Sequence, residues 1–393
     1  MCVILCMHLL RAQTQVSMDS TLAHTLKINP HRRDISDILF PNSQSNPKRL
    51  KSNDKIYFSL FPASVVPRGG DASLSPLNNI FFLGERKNTS SSSITFTPYP
   101  EFDGRYVLPI RSSIWLKKNS WNIRSDIRFL IYPQDTWGLG GNTKESAKMY
   151  VHYNYIHFNH AALKKVGRYL FIGPGYDLNN HFHIRTDGDT LTKFTGYSAG
   201  TGTSSFSSGI TLNLLYDARK NIVNPVSGFY GNIVYRNSAR LLGSDDNWQS
   251  LFMDARKYFS FSKTNQNVLA FWAYYWTILS GNAPYFDLPA TAWDPYTNSS
   301  RGFQQSRYRG KGLLYVETEY RRDLTHDGLL GYVLFANIQS VTEPVANKFT
   351  YWHMGTGVGL RIKVNKLTNT NFDIDYAMSK NFSGFYLNFG EIF

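Results

Sequence analysis

The chain has 393 residues, a formal net charge of +14, and is 42% hydrophobic and 15% aromatic. Its mean hydropathy of −0.33, with no apolar run of about 18 residues beyond the N-terminus, excludes a bundle of transmembrane helices. A transmembrane β-barrel stays open, because only every second residue of its strands faces lipid. The basic residues are dispersed among aromatics. That argues against nucleic acid as a partner and fits contact with outer-membrane lipid and lipopolysaccharide.

Residues 1–13 read as a signal peptide: apolar Met1–Leu10, then Arg11 and the small Ala12, without a basic start. Cys2 and Cys6 fall inside this segment. Its removal leaves a cysteine-free chain, suited to an oxidising periplasm. Residues 14–54 are polar, with basic clusters at His31-Arg32-Arg33 and Lys48-Arg49-Leu50-Lys51. They read as a periplasmic, partly disordered lead-in.

From 55 to 393 alternation dominates, the mark of strands. Val358, Leu360, Ile362 and Val364 share one face, opposite Gly359, Arg361 and Lys363. Phe372, Ile374, Tyr376 and Met378 oppose Asp373, Asp375 and Ala377. Leu314, Val316, Thr318 and Tyr320 oppose Tyr315, Glu317, Glu319 and Arg321. The pattern predicts about 16 antiparallel strands, several long enough for a tilted bilayer span. Among them are 55–64, 147–158, 167–181 and 385–393. Long connections at 134–146, 182–204, 238–246, 281–310 and 341–351 alternate with tight turns such as 118–119, 261–265 and 365–369. Short periplasmic turns and longer external loops are the habit of an outer-membrane barrel.

No phosphate loop, zinc spacing or nucleophile elbow occurs, so no catalytic residues, metal or cofactor are expected, and the chain reads as no enzyme. His152, His157 and His160 cluster, but His157 falls on the other face of its strand. The chain ends Phe389-Gly390-Glu391-Ile392-Phe393. Phe389, Gly390 and Phe393 resemble the C-terminal signal by which the barrel assembly machinery recognises barrels for insertion.

Further motifs carry a family resemblance. Leu215–Asn221, Asn224-Pro225 and Gly228-Phe229-Tyr230 come first. Asp254–Tyr258, Ser300-Arg301-Gly302-Phe303 and Glu317–Arg321 follow in order. Over 205–393 the chain resembles the BamA/TamA, or bacterial surface antigen, outer-membrane barrels. The resemblance implies that the loop between strands 11 and 12 folds into the lumen. Its Arg301, Gly302 and Phe303 would lock against the wall through Glu317, Glu319, Asn337, Asp373 and Asp375. Two positions depart from the family: Ser300 replaces a hydrophobe, and Asn337 stands where an Asp is usual. The 14–54 stretch has no room for a POTRA module.

Two functions follow from the resemblance. One is assembly or translocation of proteins at the outer membrane, with a client strand pairing at the seam between first and last strands. The other is a scaffold barrel that binds lipid or a periplasmic or surface protein. A pore or barrel enzyme ranks behind both.

Overall fold

The computed structural model describes residues 32–39, 77–81, 83, 89–90, 92–96, 99–100, 105–219, 221–262, 266–295, 298–366 and 369–393. The segment 1–13 and the strand expected over 55–64 lie outside them.

The first strand segments are β1 (Leu77–Phe81), β2 (Ser92–Phe96), β3 (Tyr99–Pro100), β4 (Tyr106–Trp115), β5 (Trp121–Ile131) and β6 (Gln134–Thr136). Next come β7 (Met149–Lys165), β8 (Leu170–Thr186), β9 (Ser204–Asp217), β10 (Gly228–Ser238), β11 (Trp248–Ser260) and β12 (Asn267–Gly281). The last are β13 (Gly312–Asp323), β14 (Leu330–Val341), β15 (His353–Asn365), β16 (Thr370–Ser379) and β17 (Ser383–Phe389). β2 and β3 both pair with β4, and β5 and β6 both pair with β7, so the segments make 15 strands. Helix among the described residues is limited to α1 (Ile35–Leu39), α2 (Leu191–Thr195) and three-residue turns. Every register is antiparallel, and chain neighbours are sheet neighbours from β1 to β17. Pairing of β17 with β1 is not among the described registers.

The two faces of this meander have inverted polarity. Outward-facing Val316, Leu334 and Val358 are 38%, 47% and 54% exposed. Inward-facing Glu317, Glu319 and Asp373 are 0% exposed, and Arg321 is 1%. A soluble sandwich buries its apolar face; here the apolar face is the open one and charge fills the interior. The parity expected for β13, β15 and β16 therefore holds residue by residue.

Tight turns such as 166–169 and 324–329 close one end of the sheet, and long connections such as 187–203 and 282–311 close the other. Segment 282–311 joins β12 to β13 and touches strands far apart in order. Gln305 Oε1 accepts from Tyr132 beside β5, Asp287 accepts from Ser207 on β9, and Ser300 donates to Gln339 on β14. One segment reaches all of these only because the sheet curls around it.

Two expectations need correction, and part of the lead-in has a place in the fold. β7 runs beyond 158 to Lys165, and β8 starts at Leu170, after a turn at 166–169, and runs beyond 181 to Thr186. The added residues break the apolar alternation with Asn159, His160 and His183, but the ladder continues through them, and Asn159 Nδ2 donates to Asp177 across it at 2.7 Å. The strand expected over 385–393 ends at Phe389. There Gly390 takes φ 88°, in the left-handed region, and turns the tail inward. The lead-in is docked over 32–39. Arg33 N–H donates to the Asp327 carbonyl at 3.0 Å, Arg32 pairs with Asp323 at 3.3 Å, and Lys366 pairs with Asp37 at 2.6 Å.

If the outward face meets hydrocarbon, Leu334→Lys should cost about 2–4 kcal/mol near the bilayer midplane. On a soluble protein the same change at so exposed a position stays within about 0.5 kcal/mol. Urea titration of the chain refolded into lipid vesicles reads the difference. A loss under about 0.5 kcal/mol counts against the lipid-facing assignment.

Candidate functional site

The inner face alternates charge with charge along β13, so carboxylates and guanidiniums meet inside the curled sheet. Arg301, at the tip of segment 282–311, is 1% exposed. Its guanidinium donates to Glu317 and Glu319 on β13 and to Asp375 on β16. Its Cζ also lies 3.5 Å from the centre of the Phe335 ring on β14. A guanidinium carries five donors in a fixed fork, which suits it to hold several carboxylates at once.

The backbone around Arg301 is shaped for this approach. Gly302 has φ 91°, and a Cβ there would sit 3.0 Å from the Met378 carbonyl oxygen. Its N–H donates to the Tyr386 hydroxyl on β17 at 2.8 Å. On the wall, a Cβ at Gly355 would lie 2.9 Å from the Arg301 carbonyl oxygen, so only glycine lets the tip in. Asn337 Nδ2 donates to that same carbonyl at 3.0 Å. Ser300 Oγ donates to Gln339 Oε1 at 3.0 Å. Both departures from the family pattern thus have partners: Asn337 holds the tip's main chain, and Ser300 a wall amide. Phe303 is buried beside Tyr308, ring centres 6.3 Å apart.

Of the five wall residues expected to meet this arginine, Glu317, Glu319, Asp375 and Asn337 do so. Asp373 does not; it pairs with Arg361 at 3.2 Å. The sequence reading also missed a second layer. Arg361 reaches Asp375 at 2.5 Å and Glu391 at 3.0 Å. Arg321 pairs with Glu319 at 2.5 Å and donates to the Phe393 carbonyl at 2.9 Å. Parity had placed Arg321 and Arg361 inside; no local signal told which acid each would find.

The three expected signal residues occupy different settings. Phe389 stacks on Phe372, ring centres 4.9 Å apart. Gly390 makes the turn, and Phe393 is buried, 5.2 Å from the Trp272 ring centre and 6.3 Å from that of Tyr258.

The rest of segment 282–311 is fastened as closely. Arg309 donates to the Tyr285 and Leu288 carbonyls at 2.9 and 3.2 Å. Asp287 Oδ2 accepts from Ser207 at 2.6 Å. Burial pushes the Asp287 carboxyl up to about 6, against the pull of Arg236. The histidines are dispersed into separate contacts. His157 Nδ1 lies 2.6 Å from Asn179 Oδ1, and His160 Nδ1 lies 2.6 Å from Ser125 Oγ. His181 stacks on Tyr155 at 4.3 Å. Among the described residues no three His, Cys, Asp or Glu side chains converge to hold a metal.

No family model and no curated protein matches the chain. Solved structures do. BamA from Haemophilus ducreyi lacking POTRA domains 1–3 matches with TM-score 0.54 and 12% identity, over 96% of this chain and 82% of that one. CdiB from Acinetobacter baumannii matches with TM-score 0.53 and 13% identity, over 84% of this chain and 59% of that one. CdiB from Escherichia coli matches with TM-score 0.55 and 10% identity, over 83% and 61%. The chain thus spans about three fifths of each CdiB chain. At these identities the likeness is one of fold: an all-β antiparallel sheet resembling the BamA and CdiB outer-membrane barrels.

Removing one partner of a buried ion pair costs about 3–5 kcal/mol, because the others stay buried and uncompensated. Arg301→Ala should therefore lower the heat-denaturation midpoint of the folded protein in detergent. Arg301→Lys should recover only part of the loss, since a single ammonium cannot span three carboxylates. An unchanged midpoint for Arg301→Ala would falsify the anchor.

Proposed function

We propose that this chain is an integral β-barrel of the bacterial outer membrane that aids the insertion or transport of proteins there. Segment 282–311 serves as its internal plug, held by the lock of Arg301, Gly302 and Phe303. The observation that carries this reading is the triple anchorage of Arg301 to β13 and β16, within a fold shared with BamA and CdiB. The apolar outward face supplies the membrane contact, and the basic residues outside it suit anionic lipid or lipopolysaccharide.

The mechanism rests on the last strand. β17 pairs with β16 along one edge, and its seven residues are fewer than the ten of β16. Beyond it the tail turns inward at Gly390. A short last strand is the part of such a sheet that opens most easily, and an opened strand edge offers its N–H and C=O groups as a template for another strand. Beside it lies a cavity lined by Tyr386 and Asn388 of β17, Arg105 and Gln134 toward the N-terminal strands, and Arg301 and Phe303 of the plug. A client strand would pair along this edge with the anchored plug behind it.

The scaffold reading has its own support. The plug is fastened at Asp287, Arg301, Arg307 and Arg309, so the interior is braced. Controlled depletion in the host separates the two. Insertion or transport predicts that other outer-membrane barrels fall in abundance before growth stops. Their unchanged abundance, with this protein gone, favours the scaffold.

A further inference from the structure

The long-loop end of the sheet carries a second cavity, of about 510 Å³, that neither function uses. Four chain segments build it. Asn142 and Glu145 come from the connection between β6 and β7, and Gln304 and Arg307 from the plug. Trp352 comes from the connection just before β15, and Lys380 from the turn between β16 and β17. Its volume lies within the roughly 300–1,000 Å³ typical of small-ligand sites.

The floor is rigid. Tyr308 stacks on His353, ring centres 3.8 Å apart and 10° from parallel. His353 Nε2 lies 3.0 Å from the Gly141 carbonyl. Arg307 Cζ lies 4.6 Å from the Tyr308 ring centre, and its Nε donates to Glu145 at 2.9 Å. Its remaining nitrogens donate to Thr143, at 2.6 Å to Oγ1 and 2.8 Å to the carbonyl. Asn142 Nδ2 donates to the Tyr351 hydroxyl at 3.2 Å.

The mouth is different. Trp352 is 46% exposed, and Lys380 and Asn381 are exposed beside it. Glu145 neutralises Arg307, whereas no described acid stands within ion-pair distance of Lys380. The cavity thus combines open aromatic surface, amide donors and acceptors, and one uncompensated positive charge.

We propose that this cavity binds a saccharide bearing an acidic substituent, a carboxylate or a phosphate. The indole of Trp352 offers a flat apolar surface to the C–H face of a sugar ring. Asn142, Gln304 and Asn381 can exchange hydrogen bonds with its hydroxyls, and Lys380 meets its charge. A peptide fits the cavity poorly. β15 and β16 are each paired on both edges, so the walls offer no free ladder to an extended chain. The sugar could belong to lipopolysaccharide of the surrounding leaflet or to a free glycan. That this end faces outward rests on the outer-membrane reading; binding in detergent does not.

The test uses the full chain in detergent micelles against an array of carboxylated and phosphorylated saccharides with their neutral counterparts. Lipopolysaccharide micelles and a panel of unstructured peptides complete the set. Acidic saccharides should bind and shift tryptophan fluorescence. Trp352→Ala should weaken binding about tenfold. Lys380→Gln should weaken acidic ligands on the order of fivefold and leave neutral ones unchanged. Both variants must keep the wild-type heat-denaturation midpoint, which separates loss of the site from loss of the fold. Binding of array saccharides assigns a free glycan, and binding of lipopolysaccharide alone assigns the membrane's own. No saccharide binding, binding that survives both substitutions, or peptide binding in its place overturns the proposal. None of these results bears on protein insertion, so the two readings fail separately.

Discussion

The fold depends on a guanidinium that has left water. Arg301 sits inside the curled sheet at 1% exposure, where an isolated charge costs several kcal/mol even after the surroundings relax. It is tolerable there only because Glu317, Glu319 and Asp375 are already inside, and they are tolerable only because it is. The acids sit on β13 and β16, with two strands between them in the sheet, so satisfying the arginine also sets the spacing of the wall. Arg321 and Arg361 extend this logic to Glu391 and to the Phe393 carbonyl. Plug, wall and tail share one electrostatic network. Each member constrains the others because none can be removed without stranding a partner.

That network works beside interior apolar clusters rather than in place of them. Apolar residues stand on both faces, and the interior apolar clusters mix aliphatic side chains with many aromatic rings. Trp272, Tyr274 and Tyr315 belong to one, with ring centres 5.1 to 5.7 Å apart. Rings of this kind tolerate arginines over their faces: Arg256 Cζ lies 4.6 Å from the Trp272 ring centre. An interior built from charge and rings is rigid but demands exact pairing. This accounts for the dense fastening of a segment that in a soluble protein would be an ordinary loop.

Much of the architecture was legible because strand alternation is local. Parity put Glu317, Glu319 and Asp375 on the inner face, the family resemblance implied Asn337, and the structure finds all four at Arg301. The partner of Asp373 was not legible. Its choice of Arg361 over Arg301 is set by cross-strand register, Arg361 facing Asp373 directly, and register depends on how the whole sheet twists. Strand ends were misjudged wherever side-chain polarity and backbone pairing part company. The hairpin of β7 and β8 continues through histidines and asparagines, and β17 stops early although its composition stays aromatic. The docking of Arg32 and Asp37 onto distant turns left no local mark, for it joins residues nearly three hundred positions apart or more.

Segment 282–311 joins the arginine anchor to the cavity at the long-loop end of the sheet. Arg301 fixes its tip to the wall, and Arg307, six residues on, forms part of the floor of that cavity. A ligand there can move the plug only through a difference in its affinity for two plug positions. Such a difference is typically about 1–3 kcal/mol, against about 3–5 kcal/mol for breaking a buried ion pair. The anchor therefore wins, and occupancy of the cavity leaves the tip seated. Recognition at the mouth and bracing of the interior can then be altered independently, although one segment of chain serves both.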